Sequence, residues 1–341
     1  MHDLFDKFPS LSVAVLGDYC LDEYFRIDAA LNEPSLETGL AAYQCVKNES
    51  FPGAAGTVAK NFANLGVGKV YAVGFVGDDG RGLELLRGLG RLGIDCGCVI
   101  ASPERVTPCY TKPWITENGV PRELNRIDVK NWTPTPERLA DAVMERLGGL
   151  MGRLDAVVVL DQYIEENCGI VTETVRERLA ALGRENPGRI FFADSRSRIG
   201  AFKSMMIKGN EHEVLRAAFG GGAVPGKDGG ADYAGAVRRA GEILQERTGR
   251  PVITTLGAAG VRIQDKGREI SIPGIPLSGE LDVCGAGDSF SAAFVSALAA
   301  GADMELAGTV GNAAAAVCVT QLGTSGNVTA GMIAEMMGRP R

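Results

Sequence analysis

The segment Asp282-Val283-Cys284-Gly285-Ala286-Gly287-Asp288-Ser289-Phe290 runs straight into small and apolar residues that continue to Gly301. A glycine-rich loop that opens a buried helix brings several backbone N–H groups together at the positive end of the helix dipole, where an anion is favoured. Gly285 and Gly287 permit the tight path, and Ala286 keeps its side chain small. A carboxylate at the end of such a loop repels a bound phosphate in the ground state. It makes sense where Asp288 takes a proton from a hydroxyl while the loop holds charge developing on a transferring phosphoryl group. The blander role for Asp288, capping the helix that follows, is compatible with this one.

Composition narrows the alternatives. The 341 residues are 45% hydrophobic and 23% charged, with a net charge of −7. An acidic chain lacks the basic face that a nucleic acid or an anionic membrane needs, and no apolar run approaches the roughly 20 residues that span a bilayer. Met1 to Ser10 has no signal-peptide core, so the cytoplasm is the expected location. The eight cysteines form no Cys-x-x-Cys pair, and Cys96-Gly97-Cys98 is expected at a strand edge. With only His2 and His212, a Ser–His triad or a multi-histidine metal site has no material to build from.

Strand-like and helix-like segments alternate along the chain. Expected strands cover 11–16, 70–76, 156–160, 189–193 and 251–256; expected helices cover 57–65, 82–92, 169–182, 232–246, 289–300 and 304–319. This rhythm predicts an α/β chain with a mostly parallel sheet covered by helices on both faces. Two β-rich stretches, about 19–50 and 100–127, break it and are expected to form one small sheet serving as a lid. The second holds a turn at Glu117-Asn118-Gly119. The whole of 1–341 is expected to be a single kinase domain. Ligands of open α/β sheets bind at the carboxyl ends of the strands, where Asp18, Asp194, Thr255-Leu256-Gly257 and the Gly285 loop would converge. Two motifs are decoys. Gly221 to Lys227 has a P-loop outline, but Asp228 stands where Ser or Thr should be, and Gly77 to Gly82 is a turn.

With these residues in place, the chain resembles the ribokinase-like, or PfkB-type, carbohydrate kinases. The resemblance rests on Gly17-Asp18, Pro52 to Asn61, Gly77-Asp78-Asp79, Asn210-Glu211-His212-Glu213, Thr255 to Gly260, the Asp282–Asp288 signature, and Asn312 to Ala315, in the family's order. Leu124 to Asp128 and Gly323-Thr324-Ser325 are similar to the heptose-phosphate kinase branch. The resemblance implies the ribokinase-like fold and transfer of the γ-phosphoryl group of ATP to a hydroxyl of a sugar or sugar phosphate. It implies Asp288 as base, with Gly285, Ala286 and Gly287 as the anion hole. Asn210 and Glu213 would position Mg²⁺ and the phosphates, Glu213 through water. Thr255, Gly257, Gly260 and Asn312 would line the ATP site, while Asp18, Gly53, Asn61 and Arg126 would face the substrate. Asp282, Cys318 and Gly323 fall at a monovalent-cation site of relatives, so K⁺ joins ATP and Mg²⁺ as a candidate cofactor, and pairing of lids would give a homodimer. Arg126 and Arg196 could hold a substrate phosphate.

Departures from the family pattern bear on substrate. Ala54 and Thr57 stand where a glycine and an asparagine are usual, Cys284 replaces a threonine, and Leu160-Asp161-Gln162-Tyr163 lacks the lysine and glycine of the heptose branch. Two rivals remain at this level: a nucleoside kinase with the same machinery, and a non-catalytic sugar- or nucleotide-binding regulator. Intact Asp288, Gly285 and Gly287 weigh against the second.

Overall fold

A computed structural model describes residues 2–220, 231–322 and 326–338. The strands Ser12–Gly17 and Ala156–Asp161 are almost wholly buried and nearly continuous in apolar residues, the signature of strands covered on both faces. They lie side by side in the middle of a nine-stranded sheet. In spatial order its strands are Arg268–Pro273, Gly260–Asp265, Val252–Thr255, Met206–Asn210, Ile190–Ser195, Ala156–Asp161, Ser12–Gly17, Lys69–Gly77 and Asp95–Ser102. All neighbours pair in parallel except the first two pairs, which are antiparallel and form an edge hairpin absent from the sequence expectation. The sheet is thus mostly parallel, as the strand–helix rhythm predicts. From the central Ser12–Gly17, the chain builds outward first on one side (69–77, 95–102) and then on the other (156–255). That reversal is a topological switch point, and the crevice at its carboxyl end is where ligands bind.

The helices Ala286–Ala299 and Met304–Val319 lie against each other and contact the sheet, with Ala55–Asn64 beside the first. Their high content of Ala and Gly has a packing cause. A Cβ on Gly311 would stand 2.9 Å from the Phe290 ring, so the backbone itself fills that layer. Phe290 stacks on Phe294 at 5.6 Å, and burying each such ring stabilises by about 2–3 kcal/mol.

A second sheet of five strands stands over the crevice. Its order is Ile127–Val129, Cys109–Glu117, Tyr19–Asp28 and Cys45–Ala54, with Val120–Glu123 paired to Cys109–Glu117. In Cys109–Glu117, buried Cys109, Thr111, Pro113 and Ile115 alternate with half-buried Tyr110, Lys112 and Trp114. Asn118 and Gly119 turn the hairpin with φ of 52° and 79°, the positive pair a two-residue turn needs. The lid boundary needs one correction: residues 100–102 end the edge strand Asp95–Ser102 of the main sheet, and the later lid strands begin at Cys109. Cys96 and Cys98 sit on that edge strand.

The smaller sheet is joined to the main one without slack. Asp18 is the only residue between Ser12–Gly17 and Tyr19–Asp28, and its carbonyl accepts from Ala55 N–H where Cys45–Ala54 passes into the next helix. Farther out, Glu23 of the smaller sheet meets Arg81 of the main body at 3.5 Å and Thr111 at 2.8 Å.

Candidate active site

Two clefts meet at the glycine-rich loop. The helix expected from Ser289 begins earlier, at Ala286, so Ala286, Gly287 and Asp288 form its first turn. Gly285, with φ 78° and ψ −1°, is the cap residue; Asp288 is not. Left-handed backbone is costly for residues with a Cβ, which explains a glycine there. First-turn N–H groups have no acceptor within their own helix, which leaves those of Gly287 and Asp288 as donors beside the clefts.

The smaller cleft, about 340 Å³, is lined by Cys284, Gly285 and Asp288 from the loop, and by Cys20, Asp22, Tyr110 and Lys112 from the smaller sheet. Charged residues dominate its rim. Lys112 pairs with Asp22 at 2.8 Å, Arg126 with Asp128 at 2.6 Å, and Lys130 with Glu165 at 2.5 Å. Arg196 also lines it and has no acidic partner among the described residues. Desolvation, with the nearby Asp194 charge, raises the Asp288 carboxyl to about 7, against a lowering by Lys208.

The larger cleft, about 840 Å³, is lined on the other side of the same loop by Val283, Ala286 and Gly287. Thr255, Gly257, Gly260 and Asn312 line it too, beside the apolar Ile275, Leu277, Phe290 and Val319. Asn312 donates from Nδ2 to the Pro273 carbonyl at 2.8 Å, fixing its amide at the rim. Asn210 and Glu213 also lie there, and they form a complete capping box: Asn210 Oδ1 accepts from Glu213 N–H at 2.9 Å, and Glu213 Oε2 accepts from Asn210 N–H at 2.8 Å. Burial, with the Asp194 charge, raises the Glu213 carboxyl. Lys208 and Asp194 form an ion pair on the floor of this cleft.

Not every expected residue reaches a cleft wall. Asp18, Gly53 and Asn61 are absent from both linings. The buried Asp18 carboxylate accepts from the backbone N–H groups of Gln162 (2.8 Å), Tyr163 (3.2 Å) and Ile170 (2.7 Å). Its Oδ oxygens hold a loop whose residues Gln162 to Glu165 form one wall of the smaller cleft. Asn61 is bound to Thr57 and to Ser289, one residue after Asp288. Ala54 lines the smaller cleft at φ 51°, ψ −117°, a strained conformation for alanine that accounts for a glycine being usual there. Asp282 accepts from Cys284 N–H and the Cys318 thiol donates to Cys284 O, so these two meet behind the loop. Gly323 and the P-loop-like 221–227 lie outside the described residues.

Residues 199–330, which contain the glycine-rich loop and the capping box, match the model of the pfkB family carbohydrate kinases. The Bifunctional protein HldE of Bradyrhizobium diazoefficiens is 26% identical over 317 residues, 92% of this chain and 60% of the relative's length. Among solved structures, the Arabidopsis thaliana ribokinase complexed with ribose and ATP superposes with a TM-score of 0.68 at 19% identity, covering 97% of this chain and 99% of that one. The Escherichia coli phosphofructokinase-2 in complex with potassium gives 0.69 at 18%, covering 96% and 98%. The fold of this chain is ribokinase-like. The chain spans about three fifths of the length of the curated relatives it matches.

Several cleft residues escaped the sequence reading. Lys112, Asp22 and Tyr110 were hidden in a β-rich stretch. Period-two alternation through Tyr110, Lys112 and Trp114 was the signal that could have found them. Lys208 stands two residues before Asn210 in the same strand, and thus on the same face.

Proposed function

We propose that this chain transfers the γ-phosphoryl group of ATP to a hydroxyl of a sugar or sugar phosphate. The observation that carries the reading is the single loop shared by two clefts, with the Asp288 carboxyl on the smaller side and Ala286 and Gly287 on the larger. The acceptor would occupy the smaller cleft with its hydroxyl at Asp288. As the acceptor oxygen bonds to the γ-phosphorus, its proton passes to the Asp288 carboxylate, and the bond from phosphorus to the β,γ-bridging oxygen breaks to release ADP. The N–H groups of the first turn hold the charge that develops on the equatorial oxygens. The larger cleft has the volume and the apolar wall for an adenine, and its polar floor faces the loop.

Magnesium fits the residues present. No group of three or more His, Cys, Asp or Glu among the described residues forms a preformed cage. Glu213 and Asp194 line the same cleft, and Mg²⁺ is usually held by one or two carboxylates with phosphates and water. Bound there, it would offset the negative charge of the triphosphate; Asn210 fixes Glu213 for that task.

The acceptor cleft favours a charged polyol over a nucleoside, since three ion pairs ring it beside Tyr110 and Tyr163. Leu124 to Asp128, the segment similar to the heptose-phosphate branch, supports the same side: Arg126 and Asp128 both line this cleft. Arg196, without an acidic partner, is suited to a phosphate on the acceptor. Steady-state kinetics over sugars, sugar phosphates and nucleosides tests the reading; no turnover of ATP with any of them contradicts it. In the same assay Arg196→Gln should raise KM for a phosphorylated acceptor about 10- to 100-fold with little change in kcat, the scale of one charge-assisted hydrogen bond. Equal KM values for the variant and the parent would remove Arg196 from the phosphate site.

A further inference from the structure

We propose that Lys208 is a catalytic residue, its ammonium touching the phosphoryl group as it passes between the two clefts. The inference rests on the kinase reading above and adds a residue to it.

The residue is 5% exposed and sits on the floor of the larger cleft. Among the described residues lining that cleft, it is the only lysine or arginine. It also crowds a glycine. Gly287 is not in the left-handed region, so its backbone does not require the residue. A Cβ there would stand 3.0 Å from the Lys208 ammonium, tighter than ordinary contact, so the ammonium lies close against the first turn of the helix. The first turn of the helix and the ammonium are therefore neighbours, and both line the larger cleft.

Charge leads to the same place. Three carboxylates, Asp194, Glu213 and Asp288, all interact electrostatically with Lys208. A site with three acids and one cation repels a phosphoryl group unless the cation can turn toward it. The ammonium has three N–H donors, and the Asp194 pair occupies one. The remaining donors can reach an incoming oxygen without breaking the pair. A buried ion pair contributes little to stability compared with apolar packing of the same volume, so stability alone does not account for one on a cleft floor. During transfer Lys208 keeps its protons, which distinguishes it from Asp288. The acceptor O–P bond forms, the bridging P–O bond breaks, and the acceptor's proton goes to Asp288, while the charge of Lys208 follows the equatorial oxygens.

The test uses Lys208→Met, Lys208→Arg, and the double variant Asp194→Asn with Lys208→Met, which leaves no buried charge alone. Turnover is measured with ATP and the best acceptor, and binding of ATP and of AMP by calorimetry. Lys208→Met should lower kcat about 10²- to 10³-fold, the scale of one lost transition-state donor. Its affinity for ATP should fall about 10- to 100-fold, as for a lost charge-assisted hydrogen bond, with AMP binding unchanged. Lys208→Arg should recover part of both. The double variant should fold and melt like the parent and be at least as slow as Lys208→Met, since it also loses the Asp194 carboxylate. A double variant that regains the parent's kcat, or that fails to fold, makes Lys208 a mere counter-ion for Asp194 and overturns the proposal. Equal losses for ATP and AMP overturn it as well. A parent that binds ATP but phosphorylates nothing refutes the kinase reading alone, since the ATP-against-AMP comparison still decides Lys208.

Discussion

Asp288→Asn should lower kcat by about two to four orders of magnitude, the range for loss of a positioned general base. Binding of nucleotide and acceptor should change far less, because the amide keeps the shape of the carboxyl. In the parent, kcat/KM should rise with pH through an inflection near 7, since desolvation with the Asp194 charge holds the carboxyl at about 7 and only the ionised form accepts a proton. The variant should lose that inflection. It should also be more stable than the parent. An acid whose folded pKa lies above the usual 3.8 holds its proton more tightly when folded, so ionising it in the native state costs stability as pH rises from about 4 to about 7. Asparagine removes that cost. Discounted for solvent reaching the cleft, the gain is ~1–2 kcal/mol above pH 7 and close to none below pH 4. Thermal melts at pH 4 and pH 8 measure it. Unchanged turnover would remove Asp288 from the chemistry, and a melting point unchanged at pH 8 would contradict its buried ionisation.

Asp18→Ala should strike stability before affinity. The carboxylate is 4% exposed and is the acceptor for three backbone N–H groups, those of Gln162, Tyr163 and Ile170. Each buried donor left without a partner costs ~1–3 kcal/mol, and neighbours are not additive, so a loss of roughly 3–5 kcal/mol is expected. For a chain of this size that is on the order of 10 °C in melting temperature. Turnover should fall as well, because the released loop is a wall of the acceptor cleft. If Asp18 instead met substrate directly, KM would rise with the melt unaltered. Denaturant titration beside kinetics separates the two.

The parts of this site that could be read along the chain are those whose meaning is local. Gly285, Ala286, Gly287 and Asp288 carry their chemistry in consecutive residues, and Asn210 with Glu213 spans one helical turn. The helix Met304–Val319 was legible to the residue, because Asp303 caps it and an apolar run fills it. What could not be read depends on strand register. Lys208 and Asp194 are 14 residues apart and meet only because their strands pair in parallel with those two residues opposite each other. The helix expected from Gly169 starts at Glu173, because Asp18 captures the Ile170 amide and Thr172 caps the helix. Residues 100–102, the end of the strand Asp95–Ser102, look like lid in sequence, and only the pairing of that strand with Lys69–Gly77 assigns them to the main sheet.

Asp18 separates two strands that belong to different sheets, and through its carbonyl and carboxylate it also fastens the start of the Ala55–Asn64 helix and the 162–170 loop. The roof over the smaller cleft is therefore welded at its root, and its far rim carries the exposed Leu36 and Leu40. Exchanging that rim between relatives should leave the chemical step intact while changing which molecules are admitted, whereas a splice placed at residue 18 would disturb the foundation and the roof together.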